Sequence, residues 1–252
     1  MEFKSSNPFL KEKNFENTSR AQDTAVVLHQ ESMTIDSTIN KSFIMLLLLL
    51  STALISWWLV TTGYNPMLFT IGGGVIGFIL VLIASFKPAT APYTAPAYAL
   101  FEGLFIGGIS AVFEAMYPGL VIQAVSATFI TFIVCFGLYK YKIVKVTETF
   151  KSVVIGATLA IFAFYMISWI ASFFITFQPI HQGNSLMSIG ISVFVIVVAA
   201  LNLFLDFDMI EKGAQTKAPK YMEWFAAMGL MITLVWLYVE FLRLFSKLSS
   251  RD

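Results

Sequence analysis

Beyond residue 41 the chain alternates long apolar stretches with short polar breaks, and within the stretches hydrophobicity is continuous rather than confined to every second residue. Seven stretches, at about 42–62, 67–86, 97–116, 120–139, 152–176, 186–207 and 222–246, each approach the roughly 20 residues that a helix needs to cross about 30 Å of hydrocarbon. Without period-2 alternation a transmembrane barrel is disfavoured, so the pattern predicts an all-α bundle of seven membrane-spanning helices. Residues 1–41 are polar with no sustained apolar period. They predict a flexible cytoplasmic tail before a transmembrane domain at 42–250, and they run too long before the first apolar stretch to be the head of a signal peptide.

Charge alternates with the breaks. The segments GYNP, YPG and FQPIHQGN carry no Lys or Arg, whereas the tail carries Lys4, Lys11, Lys13, Arg20 and Lys41. The second, fourth and sixth connections carry Lys87, then Lys140, Lys142, Lys145 and Lys151, then Lys212, Lys217 and Lys220. The positive-inside rule then predicts a cytoplasmic N-terminus, and seven crossings put the C-terminus outside. Arg243, Lys247 and Arg251 near the C-terminus break the rule. Helix 7 is still expected to span, because no central Pro or Gly pair interrupts its apolar length. The short tail without a targeting peptide favours a bacterial inner membrane.

Composition agrees with membrane residence: 58% of residues are hydrophobic and 12% charged, about half the charged share of a soluble domain. A net charge of +1 offers no basic field for nucleic acid. One cysteine, Cys135, and two separated histidines, His29 and His181, cannot build a disulfide framework, a zinc site or a bis-histidine haem. Cys135 reads as a small buried hydrophobe. Gly73 with Gly77 and Gly103 with Gly107 have the spacing of close helix contacts.

No lysine lies deep within a span, so a retinal Schiff base has no attachment point, and no HExxH, GxSxG or Walker sequence occurs. The chain is therefore expected not to be an enzyme and to need no tightly bound cofactor. Carboxylates carry its candidate chemistry: Glu102, Glu114, Asp206, Asp208 and Glu240 lie within or at the rims of spans. An ionisable group in the bilayer costs roughly 2.5 to 3.5 kcal/mol on insertion scales and is usually functional, while one at a span end is cheap. Glu102, Asp206 and Glu240, flanked by apolar residues, are thus the functional candidates, and Glu114 and Asp208 read as rim charges. Asp206 and Asp208 point about 200° apart on a helix and cannot share a proton as a catalytic dyad does. Buried carboxylates suit protons and calcium, a hard cation that seeks oxygen ligands, and desolvation favours their neutral form.

The segments LFLDFDMIEKG and LYVEFLRLF resemble the paired signature of the Bax inhibitor-1 (transmembrane Bax inhibitor motif) family, and APAYALFEGLFIGGISAVFEAMYPG resembles its third helix. The resemblance covers roughly residues 42–250. It implies a seven-helix bundle with helix 7 central and a pH-sensitive calcium leak, sensed by an acidic pair that the motif assigns to Asp206 and Glu240. The same residues would be the weak calcium ligands. Lys87 stands where some relatives carry a basic latch, although positive-inside anchoring remains its default reading. An alternative function is a non-transporting protein that modulates a membrane-protein partner, such as a protease, through lipid-facing helices and its tail.

Helix geometry strains the assigned pair. Asp206 lies roughly 30 Å along helix 6 and Glu240 roughly 27 Å along helix 7 in the opposite direction. They meet only if helix 7 begins well outside the membrane; an alternative register sets Thr233 against the aspartate and leaves Glu240 on the outer side, where Arg243 can neutralise it as an i, i+3 pair. Depth suggests another grouping, with Glu102, Asp206 and Asp208 inward and Glu114 and Glu240 outward as two steps of a cation path.

Overall fold

The computed structural model describes residues 32–174, 183 and 185–250. His29, His181, Arg251 and most of the predicted tail lie outside the described residues. Among the described residues are seven helices long and apolar enough to cross a membrane: α1 Ile35–Thr61, α2 Pro66–Phe86, α3 Ala91–Met116 after a 3-10 turn Pro88–Thr90, α4 Leu120–Lys140, α5 Glu148–Ala171, α6 Leu186–Gln215 and α7 Met222–Ser249.

Two boundaries differ instructively from expectation. α1 starts at Ile35, inside the predicted tail, because Thr34 caps it by accepting from the Ser37 amide at 3.2 Å. The polar turn that follows is an amphipathic helix start, which apolar length alone does not reveal. α3 starts at Ala91 and runs through Pro96. So early in a helix the proline removes one hydrogen bond, to the carbonyl of Pro92, and the helix continues.

α7 is the centre of the bundle. Of its apolar window 61% is buried, against 44% for α6 and 17% for α1, α2 and α5. It packs on α1, α3, α4 and α6. The six residues between α6 and α7 make a tight antiparallel connection, tied to the chain before α1 by the Met33 amide donating to the Ala218 carbonyl at 2.7 Å. At the other end Lys247 of α7 donates to the Ser188 carbonyl at 3.2 Å and to Ser192 Oγ at 2.7 Å on the first turns of α6. α7 therefore runs the full height of the bundle. Lys247 and Arg243 are committed to neighbours, which accounts for two of the charges that break the positive-inside pattern.

α3 is clasped between α1 and α2 through the predicted glycines. A Cβ on Gly103 would fall on Thr52 Oγ1 and the Leu49 carbonyl, one on Gly107 on Ser56 Oγ and the Ala53 carbonyl, and one on Gly73 on the backbone of Phe101 and Phe105. Two of these obstacles on α1 are backbone, which cannot rotate away. Gly103→Ala is accordingly expected to lower stability by about 1–3 kcal/mol, the usual cost of overpacking, read as an earlier thermal transition in detergent. Cys135 is buried against the Ala200 carbonyl, as a structural thiol.

Candidate functional site

The intramembrane carboxylates divide by the partners that their helices supply. Asp208, near the cytoplasmic end expected of α6, lies 3.1 Å from Lys151 of α5 and 2.8 Å from Lys212 one turn along α6. Glu114, at the end of α3, accepts from the amides of Gly119 at 2.6 Å and Val121 at 3.1 Å, so it satisfies the open N-terminus of α4. Both are committed to structural partners, in line with a rim reading. Lys87 caps the end of α2 and is exposed.

Glu240 is fully enclosed, with 1% of its surface exposed, and Arg243 reaches its Oε1 at 2.9 Å as the predicted i, i+3 pair. Tyr165 of α5 donates to the same oxygen at 3.3 Å, and its ring lies under the Arg243 guanidinium at 5.5 Å. Glu240 Oε2 is buried without a partner. Removing the arginine takes away the cation hydrogen-bonded to this buried carboxylate and leaves it the Tyr165 hydroxyl and the more distant Lys247 ammonium. Because Arg243 is itself half exposed, Arg243→Ala is expected to cost about 1–2 kcal/mol, below the roughly 3–5 of a fully buried pair, measured as a lower unfolding midpoint in detergent.

Among the described residues Asp206 has no cationic partner. Its Oδ1 faces Gly229 of α7, where a Cβ would sit 3.6 Å away, and Thr233 is its polar neighbour on the next turn. Its Oδ2 is buried with no hydrogen-bond partner. Gly229 places the α7 backbone close beside the carboxyl at the α6–α7 interface. Asp206 thus faces α7 while Asp208 faces α5, as their two-residue spacing requires.

The structure does not bring Asp206 and Glu240 together. Glu240 lies eleven residues beyond Gly229 on one continuous helix, about 16 Å along its axis. The Thr233 register is the one adopted, and the motif-based pairing fails because α7 begins at Met222 rather than far outside the bundle. Glu102 is buried in the middle of α3 beside Tyr98, its Oε2 filling the space over Gly77 of α2, and among the described residues no charged group neutralises it. It faces α2, whereas Asp206 faces α7, so the two share an unpaired state rather than a contact. Among the described residues no three His, Cys, Asp or Glu side chains gather as a metal cage. The expected calcium ligation by Asp206 with Glu240 therefore has no geometric basis.

Two polar groups escaped the sequence reading. Asn202, one turn before Asp206, donates to Thr158 of α5 at 2.8 Å and to the Val198 carbonyl at 2.9 Å. Glu223, in the first turn of α7, is fully buried and accepts from the Thr34 amide at 2.9 Å and Ser37 Oγ at 2.8 Å, and it pairs with Lys41. Lys41 also lies 5.5 Å from the Trp224 ring. The spacing of Thr34, Ser37 and Lys41 marks one polar helical face, a signal that the segment faces a buried acid.

Compared with known proteins, the chain matches a family model described as Bax inhibitor 1 like over residues 7–250. The curated proteins yield no match.

Proposed function

The chain belongs to the Bax inhibitor 1 like family, and from that premise we propose that it is a pH-modulated calcium leak without enzymatic activity, with Asp206 as the titrating group. The observation that carries this reading is the Asp206 carboxyl, set between α6 and the central α7 with one oxygen buried and unpartnered. Protonated, such a group is neutral and sits in the interface at little cost. Ionised, it is an uncompensated charge in a low-dielectric setting and needs water or a cation beside it. Cytoplasmic pH therefore biases two packings of α6 on α7, one dry and one hydrated.

A leak suits this chemistry better than a storage site. Calcium seeks six to eight oxygens, and Asp206 with Thr233 supplies too few to strip its hydration shell. Glu102 is a second uncompensated carboxylate along the same membrane region. Glu240, paired with Arg243, guards the opposite end of α7, and the guanidinium there opposes passage of a cation. The loop charges support a cytoplasmic N-terminus, and seven crossings from there give an outward C-terminus, in what we take to be a bacterial inner membrane.

The test is calcium entry into proteoliposomes, compared with protein-free liposomes, from mildly acidic to mildly alkaline pH. The reading requires protein-dependent flux that changes with pH. Flux equal to that of empty liposomes at every pH sinks it and leaves the non-transporting modulator, which copurification of a membrane-protein partner would then identify.

A further inference from the structure

A second feature lies at the lysine-rich end of the bundle. α1 and α4 are not packed against each other, and the gap between them is a groove of about 890 Å³ floored by α6 and α7. That volume is within the roughly 300–1,000 Å³ of pockets that enclose small molecules. Its walls are apolar: Ile39 and Phe43 from α1, Phe129 and Ile133 from α4, and Leu234 from α7. Phe43 and Ile133 are more than 60% exposed, so this wall is open to the side, towards the bilayer.

The mouth has the opposite character. Lys140, Lys142 and Lys145, at the end of α4 and in the connection to α5, line it and are exposed. Among the described residues none of the three forms an ion pair. The two carboxylates in the lining are already engaged, Asp208 by Lys151 and Lys212, and Glu211 by the Tyr139 hydroxyl and by Gln215 at 3.2 Å. An apolar cleft that opens on lipid and ends in three unneutralised cations matches an amphiphile with a long hydrocarbon chain and an anionic head.

We propose that the groove between α1 and α4 seats an anionic phospholipid, an acyl chain lying between Phe43 and Ile133 and its phosphate held by Lys140, Lys142 and Lys145. The site borders α6 and α7, so its occupant touches the helices whose packing the leak requires to change. The proposal does not depend on the leak, because it concerns binding alone.

It is tested on the full chain purified in detergent, by native mass spectrometry with titrated phosphatidylglycerol or phosphatidylcholine. Phosphatidylglycerol is expected to bind preferentially. Each lysine near a lipid head contributes about fivefold in affinity, so Lys140→Gln, Lys142→Gln and Lys145→Gln together should weaken it about a hundredfold. Ile133→Trp keeps the lysines, fills the cleft at an exposed position that folding tolerates, and should lower affinity at least tenfold with an unchanged melting curve. Equal binding of the two lipids overturns the proposal. So does phosphatidylglycerol binding that survives Ile133→Trp, which would reduce the lysines to a surface attraction for headgroups.

Discussion

Replacing Lys41 with methionine is expected to destabilise the protein by about 2–4 kcal/mol, the largest stability effect of any single substitution considered. Glu223 has no exposed surface, and Lys41 is the only cation paired with it among the described residues. Methionine keeps the length and the apolar stem of the lysine but leaves the carboxylate charged, buried and held only by the Thr34 amide and the Thr34 and Ser37 hydroxyls. The loss falls where α1 meets α7, so the first helix should detach from the central one. Glu223→Gln should cost less, since the freed ammonium lies close to the surface and to Trp224. Adding it to Lys41→Met should recover most of the loss, because a neutral amide no longer demands a counterion. Unfolding in detergent under increasing denaturant measures all three proteins. A Lys41→Met midpoint equal to that of the parent would show that the pair holds nothing together.

This contact was invisible in the sequence for a simple reason. Lys41 and Glu223 are 182 residues apart, and each alone reads as an interfacial charge beside an apolar run. The seven spans were legible because continuous apolarity over about 20 residues has few other solutions in a chain of this length. Their ends were less so: apolarity marks where a helix meets lipid, whereas caps such as Thr34 and Thr147 mark where the helix begins. Within the candidate site, local pairs were readable and distant ones were not. Glu240 with Arg243 follows from helical periodicity, and Thr233 opposite Asp206 follows from counting rise along two antiparallel helices. The motif placed Glu240 against Asp206, and the start of α7 at Met222 decides against it. That Glu102 looks towards Gly77 depends on the α2–α3 packing, which the glycine spacing announced without giving its rotation.

The other large effect concerns function. Asn is close to isosteric with a protonated aspartic acid, and neither carries charge. Asp206→Asn should therefore fix the α6–α7 interface in the state that the parent protein reaches when acidified, at every pH. Stability should change little, because the substitution removes no cationic partner and Gly229 leaves room for the amide. Glu240→Gln should retain the pH response, since Arg243 and Tyr165 already engage that carboxylate. A comparison of the two variants separates a titrating carboxylate from one committed to structure.

The most direct measurement is calcium flux into proteoliposomes as a function of pH for the parent protein and Asp206→Asn, reconstituted at equal density. The parent flux is expected to change with pH, and the variant flux is expected to be flat and equal to that of the parent at its acidic limit. A variant that responds to pH as the parent does would contradict the assignment of Asp206 as the titrating group.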